Sequence, residues 1–391
     1  MKKISNFLIT LFLITGCAGG SKQSTGELVV IDVTQSYPKK ELKLQDIVDI
    51  EYIPLETTDE FLCPGNLDAT VSDNFIAIWD MQRQSIILFD RTGKGLKNLN
   101  YRGQGPGEYQ MVSDIAFDED NNEMFVVDFF KTQIFVYDLQ GKFIRTFRFQ
   151  DEYNAQFIRN FDRESLICTR FPRGSRPPFF IISKQDGAFK EIIDIPNIKQ
   201  VSLSVQLNTG DRVMDFMGSP SVGPNFKYIP YRNNWILVDL SSDTIFTYSS
   251  DFKMTPFLIR TPSIHAMNPE VFLIPYLFTD RYYFMESVKK ASYDAETRQF
   301  PTTYLMYDCM EKAVFEYTIE NDDYPDKPFT PSKGRTVNSS DSEIVSFVKF
   351  EAFELVEANR EGKLKGRLKE VASKLDEDDN PVLMLLKHKK L

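Results

Sequence analysis

Three segments of the chain repeat one pattern: "FIAIWDMQRQSIILFDRTGK" (75–94), "MFVVDFFKTQIFVYDLQGK" (124–142) and "WILVDLSSDTIFTYSSDFK" (235–253). With Asp80, Asp128 and Asp239 as zero, an aliphatic residue falls at +6 (Ile86, Ile134, Ile245) and an aromatic at +9 (Phe89, Tyr137, Tyr248). Each copy reads as an apolar strand, a turn opened by Asp, a second apolar strand and a polar turn carrying Gly or Asp. Flanking strands such as "VSDIAFD" before Asp128 and "FIRTFRF" after it bring each unit to four antiparallel strands. Units spaced by 48 residues, from Asp80 to Asp128, predict the blades of a β-propeller.

Two looser copies fill the gaps. "SLICTRFPRGSRPPFFIISKQDG" (165–187) keeps both strands and lengthens the turn between them. "RYYFMESVKKASYDAETRQFPTTYLMYDCMEKAVFEY" (281–317) does the same, with Glu286 in the place of the Asp. An alternative register puts Asp308 at zero, but "LMYDCMEKAVFEY" follows "FVYDLQGKFIRTF" more closely, which favours Glu286. Five blades then run from about residue 61 to 320. A sixth would combine C-terminal strands with an early one, "LVVIDV" or "DIEYIPLE", so that strands from both termini close the ring and leave no edge exposed there. Within 342–356, "SEIVSFVKFEAFELV" reads as strand or amphipathic helix. Leu364, Leu368, Val371 and Leu375 recur at helical spacing, Asn380-Pro381 stops that helix, and "VLMLLKHK" reads as a strand. The fold class expected is all-β: a six-bladed propeller of four-stranded blades over residues 27–391, with a short helical insertion in the closing blade.

Composition agrees, since 33 Phe and 17 Tyr favour sheet over helix. The N-terminus, "MKKISNFLITLFLITGCAGG", has two lysines, a short apolar run and small residues ending at Cys17, the order of a secretory signal (1–16). Ile14-Thr15-Gly16-Cys17 resembles a lipobox, which makes Cys17 the lipid attachment site and residues 17–26 a polar tether. Loss of Lys2 and Lys3 moves the net charge from −10 to −12 (−10 − 2), which argues against nucleic acid as a partner. Cys63, Cys168 and Cys309 have no metal-ligand spacing and read as small hydrophobes. With only His265 and His388, a His-rich zinc site is excluded by count. No cofactor is expected. The repeated Asp residues suit strand-end turns better than calcium ligation, for which nothing in the spacing speaks.

Strand parity sorts the loops. With strands A to D counted outward from the axis, B-to-C turns and D-to-A connections leave from one face. That face would carry "YRGQGPGEYQ" (101–110), the long turns at 170–178 and 286–303, and "TPSIHAMNPE" (261–270). Its basic residues outnumber its acids, so an anionic ligand would be focused there. Candidate ligand-binding residues on it are Arg83, Arg102, Gln104, Glu108, Tyr109, Lys131, Arg173 and His265. The glycines of 101–110 are explained by sharp positive-φ turns at a blade crossing, and no helix follows to make a phosphate loop.

The order strand, Asp, five residues, Ile, two residues, aromatic resembles the NHL-type blade. The lipobox, "EYIPLETTDE" (51–60), "RGQGPGEY" (102–109) and "DDNPVLMLLKHK" (378–389) resemble the six-bladed propeller lipoproteins abundant in Bacteroidetes. The resemblance implies a propeller lipid-anchored to the outer membrane, discussed near glycan uptake, and leaves the periplasmic and surface faces open. The functional expectation is a binding module for an oligosaccharide or an envelope protein, with a lyase or hydrolase of an acidic glycan as the alternative. No catalytic motif decides whether the chain is an enzyme.

Overall fold

The computed structural model describes residues 28–63, 67–80, 85–149, 154–170, 178–208, 213–217, 226–291, 293–294, 299–333, 335–338 and 344–390. The signal, Cys17 and the tether lie outside them, as do Arg83 and Arg173.

The described chain enters through β1 (Val29–Asp32), β2 (Lys39–Lys43), a single helical turn α1 (Leu44–Ile47) and β3 (Val48–Pro54). Blade 1 follows with β4 (Leu67–Val71), β5 (Phe75–Asp80), β6 (Ile86–Asp90) and β7 (Gly95–Leu99). Blade 2 holds β8 (Val112–Asp118), β9 (Glu123–Asp128), β10 (Gln133–Asp138) and β11 (Phe143–Arg148). Blade 3 holds β12 (Ala155–Asn160), β13 (Ser165–Arg170), β14 (Phe179–Ser183) and β15 (Phe189–Ile193). A hairpin, β16 (Ser204–Asn208) and β17 (Val213–Met217), separates it from blade 4, built of β18 (Phe226–Tyr231), β19 (Asn234–Asp239), β20 (Thr244–Ser249) and β21 (Met254–Thr261). Blade 5 contains β22 (Val271–Phe278), β23 (Tyr282–Lys289), β24 (Thr302–Asp308) and β25 (Ala313–Glu320). Blade 6 begins with β26 (Arg335–Asn338) and β27 (Ile344–Phe350), passes through helices α2 (Ala352–Arg360) and α3 (Gly366–Ala372), and continues in β28 (Val382–His388).

β3 pairs antiparallel with β28 and completes the sixth sheet in the order β26-β27-β28-β3. The ring is therefore closed by "DIEYIPLE", with three strands from the C-terminal end and one from the N-terminal end. Both readings of 342–356 hold in succession, strand to Phe350 and helix from Ala352. The other early segment, "LVVIDV", has a different use: β1 runs parallel to β21 as a fifth strand of blade 4, and β2 does the same against β25 of blade 5. Lys40 on β2 is tied to Asp308 at 2.8 Å and to Glu311, so the added strand is held by charge as well as by the ladder. Each covers a strand edge that would otherwise be open.

The middle strands form because they are buried on both faces, as β9 and β10 show with runs of consecutive buried residues. Their side chains fill the wedges between blades. In the closing wedge, Ile76, Ile78 and Phe89 of blade 1 pack against Phe347, Leu383 and Leu385 of blade 6. Each such side chain contributes about 1.5–3 kcal/mol by leaving water, so ring closure rests on this wedge as much as on β3.

The repeated Asp has the turn role that its spacing predicts. Asp128 Oδ1 accepts from the amides of Phe130 (2.9 Å) and Lys131 (3.0 Å), and Asp239 Oδ1 accepts from Ser241 N at 2.8 Å. Asp138 and Asp308 do the same at the next turn of their blades. The register chosen for 281–317 also holds, since Asp308 ends β24 as Asp138 ends β10. Glu286 differs from the marker it replaces: it lies inside β23 and is 2% exposed.

Candidate functional site

Strand order places 101–110 and 261–270 on one face as parity predicts, and adds to it the β16–β17 hairpin and the α2–α3 insertion, because each is or lies in a D-to-A or a B-to-C connection. The residues that the sequence marks on this face separate into three groups.

The loop 101–110 is folded onto blade 2. Tyr109 donates its amide to Tyr101 O at 3.0 Å, and Gly103 N donates to Tyr109 O at 3.0 Å. The Tyr109 ring is fully buried, with its hydroxyl donating to Leu99 O at 2.6 Å, so it is a core residue and not a ligand contact. Glu108 Oε2 accepts from Gly105 N at 2.8 Å, while the Glu108 carbonyl accepts from Lys131 Nζ at 2.6 Å. Both side chains thus hold the loop. Of the glycines only Gly107 has a positive φ, +75°; at Gly103 and Gly105 a Cβ would press on the Glu108 carboxylate, so a side chain there would displace the group that holds the loop. Tyr137 fixes the crossing further by donating to Gly107 O at 2.9 Å.

His265, in a 3-10 turn (Ile264–Ala266), is bonded through Nε2 to Ser241 O at 3.0 Å and serves the packing of that turn. Arg102 and Gln104 are exposed at the rim. Arg170, at the start of the long 170–178 turn, is buried, and Lys290, in the 286–303 turn, donates to Ser202 O at 2.8 Å. The basic character expected of the loops is therefore partly consumed inside the fold.

A polar set that the loop reading missed lies on the innermost strands. Asp114 on β8 is buried, and its Oδ2 accepts from Ile158 N (2.8 Å) and from the Arg159 guanidinium (2.6 Å) on β12. The Arg159 guanidinium stands 6.0 Å from the centre of the Tyr228 ring on β18. Next to Tyr228, Lys227 places its Nζ 3.8 Å from the centre of the Tyr276 ring on β22. Tyr276 donates to Glu286 Oε2 on β23 at 3.1 Å. These contacts step from blade 2 to blade 5 around the axis, and the charge of Asp68 on β4 of blade 1 also acts on Arg159.

The set has a regular origin. Asp68 pairs with Trp79, Asp114 with Val127 and Lys227 with Val238, each the residue just before a marker Asp. One rank of the inner strands therefore carries charge, close below the loop-bearing face. Bulges re-aim two of its neighbours: β8 slips between Val112 and Asp114, and β22 between Pro275 and Leu277, which turns out Tyr276.

The electrostatics follow from depth. Burial alone would lower Arg159, but the Asp114 carboxylate outweighs it and holds the guanidinium above its usual range. Burial pulls Lys227 down to about 8, and the Glu286 charge offsets only part of that. Burial raises Tyr276, and the adjoining Glu286 raises it further. Burial likewise raises Tyr228, against the pull of Arg159. The Tyr228 hydroxyl is buried without a hydrogen-bond partner, and Lys227 has no ion pair among the described residues. A buried hydroxyl without a protein partner, beside an ammonium held over an aromatic ring on the inner strands, is a pair that a ligand group would satisfy.

The sequence model of a family described as a domain of unknown function, DUF4934, matches residues 28–387. Among solved structures, an exported protein of Bacteroides fragilis superposes with a TM-score of 0.62 at 15% identity, over 93% of this chain and 100% of its own. A DUF4221 member from Bacteroides vulgatus gives 0.47 at 12% identity, over 89% and 100%. No curated protein matches the chain.

Proposed function

The chain belongs to the DUF4934 family, and from that premise we propose that it is an envelope-anchored binding module whose ligand enters the channel from the loop-bearing face. The observation that carries this reading is the inner-strand set itself: Tyr228 with an unsatisfied hydroxyl, beside Lys227 on the Tyr276 ring and next to the Asp114–Arg159 pair of the neighbouring blades. Aromatic faces with a few convergent polar groups suit a saccharide or a peptide. Arg102 and Gln104 would meet the same ligand at the rim. The reading calls for no cofactor.

Anchoring would be through a lipid on Cys17, and the exported Bacteroides fragilis protein of the same fold supports an envelope location. In cells, Cys17→Ser should move the protein from the membrane pellet to the soluble or unprocessed fraction. Mature-size protein that remains in the membrane pellet in that variant would exclude the anchor.

A second reading, a lyase or hydrolase of an acidic glycan, is favoured by one observation: an amine lowered to about 8 stands over Tyr276, which is hydrogen-bonded to a buried carboxylate. Thermal unfolding against neutral and acidic oligosaccharides and peptides tests both. Tyr228→Phe should leave the unliganded midpoint nearly unchanged, because the hydroxyl bonds nothing, and Lys227→Met should fold equally well. Both should weaken a ligand's stabilising shift by about tenfold in concentration. A shift that survives both substitutions places the ligand elsewhere. Product formation that Lys227→Met abolishes while binding persists selects the enzyme.

A further inference from the structure

A cavity opens between blades 5 and 6 on the face opposite the loops. Three segments distant in sequence build it: α1, the β22–β23 turn, and the end of β28 with the residues after it. Its volume is about 280 Å³. We propose that it binds a small tetrahedral oxyanion, a phosphate or sulfate group, through Arg281, Lys389 and Lys390.

Charge is the first support. The cavity lining holds three cations and one acid, Asp46, on a chain whose net charge is −10. Lys390 is exposed and has no ion-pair partner among the described residues. Lys389 is oriented by its donation to Gln45 O at 2.8 Å, with Asp49 at the longer distance of 3.8 Å. Arg281 reaches Asp308 only at 3.4 Å, and that carboxylate is already engaged by Lys40 at 2.8 Å and by two amides.

An orphaned donor is the second. Arg281 Nε is buried and has no hydrogen-bond partner. A guanidinium N–H in that condition has lost its water without compensation, and the rest of the half-exposed guanidinium, which lines the cavity, keeps donor capacity for an acceptor oxygen. The guanidinium lies 4.9 Å from the centre of the Tyr282 ring, so its plane is supported on one side. A planar fork so supported suits a tetrahedral oxyanion, with the two ammonium groups as point charges around it. His388 also lines the cavity but is bonded to Ser346 Oγ at 2.9 Å and is held neutral by burial. The site therefore does not depend on a protonated histidine, nor on the channel reading.

The oxyanion has two chemical sources, a soluble phosphate and a phospholipid headgroup. The test titrates the mature chain with sodium phosphate against sodium chloride at equal ionic strength and follows thermal unfolding. In parallel it measures co-sedimentation with phosphatidylglycerol vesicles. Phosphate should give a saturable rise in midpoint beyond the linear effect of an excluded salt. The apparent affinity should fall about tenfold in Arg281→Gln and a few-fold in Lys390→Gln, which changes only an exposed side chain. Vesicle binding that depends on the same two residues, without a phosphate response, assigns the headgroup as the source. Binding of phosphate and vesicles that is absent, or equal in wild type and both variants, overturns the site.

Discussion

Replacing Asn380 by alanine should lower the free energy of unfolding by about 3 kcal/mol or more. Asn380 is 1% exposed and precedes β28. Its Oδ1 accepts from Cys63 N at 2.8 Å, and its Nδ2 donates to Glu56 O at 2.7 Å and Phe61 O at 2.6 Å. Three backbone groups of 56–63, the segment leading from β3 into blade 1, thus depend on one amide from the C-terminal end. Alanine returns no partner, and each buried group left unpaired costs about 1–3 kcal/mol. Local relaxation will admit water to some of them, which sets the lower bound. Because the bonds join the two ends of the chain at the closing blade, β3 amide exchange should accelerate before that of blades 2 and 3. Urea unfolding should show a lower midpoint with an unchanged slope. A loss below about 1 kcal/mol would mean that ring closure rests on the apolar wedge alone.

The role of Asn380 as a lock is not visible in its sequence neighbourhood, where Asn-Pro reads only as a helix stop. The blades are visible there, because their middle strands are buried on both faces and their turns need an Asp at a fixed offset. A two-sided apolar run such as "FVVDFFKTQIFVYD" has few other folds. Outer elements are less constrained. "KKELK" of β2 carries four charged residues among its five and pairs through its backbone, so no side-chain periodicity announces it.

The candidate site divides along the same physical line. The loop 101–110 attracts notice by its glycines and charges, yet Glu108, Tyr109 and Lys131 are spent on holding the loop itself. The channel groups are harder to see, although one signal exists. Asp68 and Lys227 each stand 12 residues before a marker Asp, since 80 − 68 and 239 − 227 both equal 12. Asp114 stands 14 before its own, 128 − 114, because the β8–β9 hairpin encloses two more residues between paired positions than its counterparts do. A rank displaced by differences in hairpin length cannot be aligned until the strand pairing is known.

Between pH 7 and pH 4 the protein should lose about 3 kcal/mol of stability that a His388→Gln variant does not lose. His388 is 8% exposed at the end of β28, and its Nε2 is paired with Ser346 Oγ at 2.9 Å. Burial lowers its pKa from 6.5 to about 4. The folded state thus resists a proton that the unfolded state accepts, and stability rises with pH through this window. The contribution is complete above pH 6.5 and is lost as the pH falls from there to about 4. At about 1.4 kcal/mol per pH unit the gap corresponds to about 3 kcal/mol. Carboxylates with lowered pKa, such as Asp308 and Asp243, also lose stabilisation in acid, mostly below this window and equally in both proteins. The difference between wild type and variant therefore isolates the imidazole. Urea midpoints in both proteins across the range measure it, and parallel pH profiles would show that His388 is protonated in the fold without cost.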